Sequence, residues 1–225
     1  MKSILWTLFV GICVVVGTAQ ARAEASICSM VTGNLVGNCG FETGDFTDWT
    51  LAGGLGGVNP NAGVEGQDPV DNLFPNSGDD QAWFSDLDVS PDWDVLTQNI
   101  ATQAGGEYFV TFYLAQDTAP TPTAQGCTGQ SAPECDNSVL VKFGGLTLLS
   151  QSEVPVQGYT KYTYQTVATS SSTTLSFTLG NGLGEFLLDD VSVVAPEPSA
   201  WTLMLLVTGG CVFLLKRRVS QGVAK

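Results

Sequence analysis

The sequence predicts an all-β protein, a two-sheet antiparallel β-sandwich. Three observations support this fold. Apolar and polar residues alternate with a period of two, glycine-rich turns separate the alternating stretches, and no stretch has the period of an amphipathic helix. A period of two places every second side chain on one face of a strand, as in half-buried antiparallel sheets. About eight or nine short strands of this kind fit a sandwich.

The alternation is clearest in three stretches: GEYFVTFYL (106–114), NSVLVKF (137–143) and TTLSFTL (173–179). Further strands are predicted at 48–52, 81–86, 94–100, 146–150, 159–168 and 186–194. The stretch 53–78, rich in Gly, Asn, Pro and Asp, and the stretch 117–136, rich in Thr, Pro and Gln, are predicted to be surface loops.

Segments at both ends differ from this domain, which we assign to residues 24–195. Residues 1–23 combine Lys2, an apolar stretch 4–16 and the small-residue end Ala21-Arg22-Ala23, as in a secretory signal peptide. An uncleaved anchor is the alternative, but the apolar stretch is short for a membrane span. We therefore expect the domain to be exported.

The charge distribution limits the partners of the exported part. Between Glu24 and Glu197 the chain has 22 acidic residues and only two basic ones, Lys142 and Lys161, a net charge of −20. Such a surface repels phosphate backbones and anionic lipid headgroups and attracts divalent cations. Nucleic acid is therefore not expected as a partner.

Four cysteines fall in the exported part: Cys28, Cys39, Cys127 and Cys135. An even number in an oxidising compartment indicates disulfides, and four cysteines allow three connectivities. We favour the local pairs 28–39 and 127–135, because each closes a short loop rich in glycine or proline. Zinc is the competing explanation, but neither pair has CxxC spacing and the chain has no histidine.

The absence of histidine also excludes the Ser-His-Asp triad and the HExxH zinc site. Paired carboxylates for glycoside hydrolysis remain conceivable, but none of the 22 acids is distinguished from the others. No catalytic residues are predicted, and the protein is expected not to be an enzyme.

The carboxylates fit calcium binding better than they fit glycoside hydrolysis. In FLLDDVSVV, Asp189 has the parity of Val191 and Val193, so an inward-facing carboxylate is expected there. Glu42, beside Phe41, is in a similarly apolar setting. A buried carboxylate needs a metal or hydrogen-bond donors. If the first and last strands meet, Glu42 and Asp189 could clamp one structural cation; hydrogen bonding to backbone amides is the alternative.

A second acidic run, 79–94, contains Asp86, Asp88, Asp92 and Asp94, but it lacks the spacing of an EF-hand loop. A solvated acidic surface is favoured there. Among the aromatics, Trp93 is the first candidate for a sugar platform, with Trp83 and Tyr113 after it, whereas Trp49, Tyr162 and Tyr164 are expected in the core.

The tail PEPSAWTLMLLVTGGCVFLLKRR (196–218) resembles the PEP-CTERM sorting signal of Gram-negative bacteria that make exopolysaccharide. The matching parts are Pro196-Glu197-Pro198, a transmembrane run 201–215, and the basic cluster Lys216-Arg217-Arg218. The resemblance implies processing near the PEP motif by an exosortase after a transient stay in the inner membrane. A permanent anchor is the alternative, and residues 219–225 form an extra short tail.

The domain is similar to the galactose-binding-like jelly rolls of carbohydrate-binding modules. The stretches NLVGNCGFETGDFTDWT, LTQNIATQAGGEYFVTFYLA and TTLSFTL…FLLDDVSV carry the likeness. It implies a structural calcium at Glu42 and Asp189, with Asp190 as the alternate. We therefore expect a non-enzymatic protein of the cell surface or extracellular matrix that binds exopolysaccharide or another glycan. The alternatives are a structural or adhesive matrix protein without a sugar site and, less favoured, a glycan hydrolase.

Overall fold

A computed structural model describes residues 25–53, 62–67, 74–84, 93–116, 137–181 and 184–196. These residues form a short 3-10 helix, Ile27–Met30, and ten strands. The strands are β1 (Thr50–Ala52), β2 (Ala62–Glu65), β3 (Gln81–Phe84), β4 (Asp94–Ala101), β5 (Glu107–Gln116), β6 (Asn137–Phe143), β7 (Leu146–Ser152), β8 (Gln157–Val167), β9 (Ser172–Asn181) and β10 (Phe186–Val194).

The strands form two five-stranded antiparallel sheets, which confirms the predicted sandwich. Sheet A has the order β1-β4-β9-β6-β7 and sheet B the order β2-β3-β10-β5-β8. The core lies between the sheets, where Phe112 of β5 meets Phe177 of β9 edge to face at 5.2 Å. Since aromatic pairs in this geometry add to the energy of area burial, this contact helps to hold the two sheets together.

The predicted alternation decides which side chains enter the core. In β9, Leu175, Phe177 and Leu179 are fully buried, while the residues between them face away from the core. Trp49 is also buried, as expected, and Tyr162 and Tyr164 pack partly buried against the core. The predicted loop 53–78 is wrong in part, because it contains β2. Only four residues long and containing a glycine, β2 lacks the repeated alternation that marks the other strands.

Strand β10 contains a register shift that changes the expected position of one carboxylate. Asp189 pairs with Tyr113, and the ladder resumes with Ser192 opposite Thr111. Asp190, at the irregularity, has a φ of +50°. Asp189 is fully buried, as predicted, but it shares the outer face of sheet B with Tyr113 rather than the core face with Val191 and Val193. A β-bulge of this kind reverses the parity of everything beyond it.

The N-terminal segment, residues 25–49, packs along β10. The disulfide between Cys28 and Cys39 is present, as favoured from the sequence. Backbone hydrogen bonds from Leu35 N to Val193 O and from Val191 N to Cys39 O, at 2.9 and 2.8 Å, join this segment to the last strand. The first and last parts of the domain therefore meet.

Several predicted features lie outside the described residues: the signal peptide (1–23), Cys127 and Cys135, the acids Asp86, Asp88 and Asp92, and the sorting signal from Glu197 onward, with Pro198, Lys216, Arg217 and Arg218. Pro196 is described and follows β10 without regular structure. Within the described ranges, no helix is both long and apolar enough to cross a membrane.

Candidate functional site

The outer face of sheet B carries two of the three aromatic residues that the sequence nominates. We define this face by the side chains that point away from the core. They are Gly63 and Glu65 of β2, Gln81 and Trp83 of β3, Leu187, Asp189 and Ser192 of β10, Phe109, Thr111 and Tyr113 of β5, and Tyr159, Lys161, Thr163 and Gln165 of β8.

Trp83 lies over the edge strand β2. A Cβ added to Gly63, its cross-strand partner, would lie 2.7 Å from the indole Nε1. Only glycine therefore lets the indole lie flat against β2. The ring is half-buried, so one surface rests on backbone and part of the other remains accessible.

Tyr113 lies on the other side of β10. It pairs with Asp189 of β10 and with Lys161 of β8, whose Nζ lies 5.9 Å from the centre of the tyrosine ring. Tyr113 is half-buried and Lys161 is exposed. One strand separates β3 from β5, and Trp83 aligns with Leu187 of β10 whereas Tyr113 aligns with Asp189. Their backbone positions are therefore roughly 12 Å apart, two strand spacings across the sheet and two residues along it.

A hydrogen bond crosses the face between strands that are not neighbours. The Tyr159 hydroxyl donates to Gln81 Oε1 at 2.6 Å. Tyr159 belongs to β8 and Gln81 to β3, so this bond passes over β5 and β10. Burial raises the pKa of Tyr159 well above its usual range, and the carboxylates of Asp189 and Asp190 add to the effect. The phenol is thus a neutral donor that fixes the floor of the face.

Trp93 is not part of this face. A Cβ added to Gly180 of β9 would lie 2.5 Å from two ring atoms of Trp93, so the indole packs on the outer face of sheet A. The structure thus brings Trp83 and Tyr113 to one face and places Trp93 on the opposite sheet. Asp94, the described member of the second acidic run, is fully buried rather than part of a solvated surface.

Sequence reasoning missed Tyr159, Gln81, Glu65 and Gly63. Tyr159 follows Gly158 and has the parity of Lys161, which places it on the outer face once the strand pairing is known. The sequence does not reveal that pairing. Glu65 and Gly63 lie in the strand that was predicted to be a loop.

The Asp190 carboxylate accepts four hydrogen bonds. Its Oδ1 accepts from Ser26 Oγ at 2.6 Å and from Cys28 N at 3.1 Å. Its Oδ2 accepts from Asn76 Nδ2 at 2.7 Å and from Ser77 Oγ at 2.6 Å. With two donors at each oxygen, a cation would have to displace a donor. Asp190 therefore does not fit the role of alternate calcium ligand.

Asp189 precedes Asp190 in β10 and bonds to the same loop residue, Ser77. Its Oδ1 accepts from Asp190 N at 2.7 Å, and its Oδ2 accepts from Ser77 N at 3.2 Å. Burial raises the pKa of Asp189 to about 8, with a further contribution from Asp190, and the backbone amides oppose the rise only in part. Amide donors, the alternative that the sequence left open, are thus present at this carboxylate.

Glu42 belongs to the same neighbourhood. Its Oε2 accepts from Asp79 N at 2.9 Å, and its carboxylate packs against Gly78. This partial shielding from water raises the pKa of Glu42, although much of the side chain is exposed. A Cβ on Gly40 would lie 3.4 Å from Glu42 Oε1 and would overlap Ser26 Oγ. In the part of the chain that the structure describes, no three Asp, Glu, His or Cys side chains are grouped so as to hold a metal ion.

No protein-family model matches the sequence, and no curated protein matches it significantly. Among solved structures, the module TmCBM61 in complex with beta-1,4-galactotriose is 17% identical and covers 72% of this chain and 99% of that chain, with a TM-score of 0.49. The CBM22-1 xylan-binding domain from Paenibacillus barcinonensis Xyn10C is 14% identical, with a TM-score of 0.45; the match covers 72% of this chain and 94% of that chain. The K2 cleaved adhesin domain of Lys-gingipain is 12% identical, with a TM-score of 0.44; the match covers 69% of this chain and 96% of that chain. Similarity this low carries no argument about ligand or activity.

Proposed function

We propose that this protein is a non-enzymatic glycan-binding protein that holds its ligand against the outer face of sheet B. The observation that carries the proposal is the pair Trp83 and Tyr113, two half-buried aromatic rings on one face, on either side of strand β10. Binding sites of this type combine aromatic contact area with a few polar groups that fix orientation.

The charge of the domain favours a neutral glycan. A net charge of −20 between Glu24 and Glu197 opposes the approach of an anionic polymer. The exposed polar side chains beside Tyr113 are Lys161 and Thr163 of β8, which can donate hydrogen bonds to the oxygens of sugar hydroxyl groups. A neutral polysaccharide offers many such oxygens and no charge to repel.

Binding to a panel of immobilised polysaccharides tests the proposal. Trp83→Ala and Tyr113→Ala should each weaken binding at least about tenfold, as expected for loss of a buried aromatic contact. Trp93→Ala is the matched control, since that indole lies on sheet A, and it should leave binding unchanged. Binding to no polysaccharide would favour the structural or adhesive alternative. Release of new reducing ends from a bound glycan would favour a hydrolase.

Delivery to the cell surface is a further part of the proposal. It rests on the signal-like residues 1–23 and on the tail with Pro196, Glu197 and Pro198 before an apolar run and the cluster Lys216-Arg217-Arg218. An epitope tag placed after position 225 should be lost from the surface form if an exosortase removes the tail. A tag retained at the surface would instead indicate a permanent anchor.

Structural calcium at Glu42 and Asp189 is a separate proposal. Its support is the acid-rich neighbourhood of both groups, where Asp79 and Asp80 follow Gly78. Chelation should lower the melting temperature, and Asp189→Asn should abolish the difference. Identical melting curves with calcium and with chelator would contradict it, and hydrogen bonding alone would then account for both carboxylates.

A further inference from the structure

The two longest exposed sheet edges of the described chain lie on the same side of the sandwich. Strand β7 is outermost in sheet A, strand β8 is outermost in sheet B, and they are joined by residues 153–156. We call Leu146–Val167 the β7–β8 rim. The opposite edges, β1 and β2, are only three and four residues long, whereas β8 has eleven.

The rim has few of the features that normally prevent edge strands from pairing with another chain. Proteins protect such edges with proline, charged side chains or bulges. Strand β8 contains no proline and one charged residue, Lys161, and β7 contains neither a charge nor a proline; Glu153 and Pro155 lie in the connection. Each edge ladder has one register shift, but β8 pairs regularly with β5 from Thr160 to Val167. Along most of β8 the side chains are exposed or half-buried.

The rim is also apolar and held in place. Leu146, Val156 and Val167 are 47%, 55% and 42% exposed. The connection between the two strands is clamped by Asn137, whose side-chain amide donates to Val154 O and whose Oδ1 accepts from Val154 N. Both edges are therefore presented together as a fixed surface.

The distribution of charged residues favours a second copy of this chain as the partner of the rim. Residues 137–181 contain only Lys142, Glu153 and Lys161 as charged residues, while the other 21 acidic residues of the chain lie elsewhere. Two copies of so acidic a protein repel each other over most orientations. The rim itself carries one acidic residue, Glu153, and one basic residue, Lys161, so contact between two rims brings no net charge against net charge.

We propose that the β7–β8 rim is a self-association surface at which β8 pairs antiparallel with β8 of a second copy. A two-fold interface uses the same surface on both partners, as a neutral self-complementary edge allows. The paired sheets B would form one ten-stranded sheet, because each contributes five strands. The inference does not rest on glycan binding, although β8 also contributes Lys161, Thr163 and Gln165 to the outer face of sheet B.

Disulfide cross-linking of the full chain tests the geometry. Lys161→Cys, Thr163→Cys and Gln165→Cys place a thiol at successive outer-face positions of β8. In an antiparallel pair, cross-linking should peak at the position nearest the two-fold axis and fall away from it. Asn99→Cys, exposed on the outer face of the inner strand β4 of sheet A, is the matched control and should remain uncross-linked.

Sedimentation velocity provides the second measurement. Thr163→Glu should raise the dimer dissociation constant by about fivefold or more, because a charge on the edge opposes pairing with its own copy. Unchanged circular dichroism and melting temperature would show that the variant folds. A chain that stays monomeric at every concentration, a dimer indifferent to Thr163→Glu, or equal cross-linking at Asn99→Cys would overturn the proposal.

Discussion

Replacing Asp190 by asparagine should strongly destabilise the domain. The carboxylate joins three parts of the chain: Ser26 and Cys28 of the N-terminal segment, the loop residues Asn76 and Ser77, and the last strand. Asparagine has the same shape and tolerates the positive φ of this position. The substitution therefore changes the hydrogen bonding and the charge while leaving the backbone conformation available.

The size of the effect follows from the donors. Asparagine keeps one acceptor oxygen, and its amide group is turned toward two donors that previously bonded to the second carboxylate oxygen. Of those two donors the serine hydroxyl can rotate to accept from the amide, whereas the N–H donor cannot, so one hydrogen bond to a charged acceptor is lost outright, at about 1.5–3 kcal/mol. The remaining bonds weaken because their acceptor is no longer charged. We expect a loss of about 3–5 kcal/mol in unfolding free energy, a large share of the total stability of an ordinary domain.

Urea unfolding monitored by tryptophan fluorescence, with the disulfide intact, measures this difference. Asp48→Asn is a matched control, because Asp48 also has a positive φ but is exposed. That variant should change the unfolding free energy by less than about 0.5 kcal/mol. A loss below about 1 kcal/mol for Asp190→Asn would refute the reasoning, because it would mean that the four donors find equivalent partners elsewhere.

Three further predictions concern stability. The pKa of Asp189 rises from 3.8 to about 8 on folding, so its stabilisation is complete below pH 4 and is lost as the pH rises through 8; Asp189→Asn should flatten this decline in calcium-free urea titrations. Gly78 and Gly105 both have a positive φ, +76° and +79°, but only Gly78 lies against a side chain, the Glu42 carboxylate. Gly78→Ala should therefore lower the melting temperature more than Gly105→Ala, and equal losses would show that the clash with Glu42 contributes nothing. Removing the Cys28–Cys39 disulfide by serine substitution should cost about 2–4 kcal/mol in urea unfolding, and a cost near zero would show that β10 alone holds the segment.

The strands could be predicted from the sequence because the alternation of apolar and polar residues is visible within each strand alone. The pairs Val139/Val141 and Leu175/Leu179 enter the core as their parity requires. The argument failed at Asp189, because a register shift in β10 changed the parity between Asp189 and Ser192. A bulge depends on the neighbouring strand and leaves no clear trace in a single strand's alternation.

The candidate site was less predictable than the fold. Trp83 and Trp93 are both tryptophans in acidic surroundings, yet they lie on opposite sheets. Which sheet a strand joins depends on pairing between distant parts of the chain, and the sequence gives no register for that pairing. The hydrogen bond between Tyr159 and Gln81 joins residues 78 positions apart, so it too depends on strand pairing that the sequence does not reveal.

The meeting of the N-terminal segment with β10 also has a consequence for the order of folding. The side chain of Asn34 bonds to the backbone of Val193 across 159 positions, and Ser26 bonds to Asp190 across 164. Contacts so distant in sequence slow folding, because a long loop must close before they form. The N-terminal segment is synthesised first and can bond to Gln98 of β4 through Gly37, but its contacts with β10 cannot form until that last strand emerges. The domain should therefore reach its native state only after nearly all of its chain is free, and a truncation before residue 186 should leave the N-terminal segment without its place in the fold.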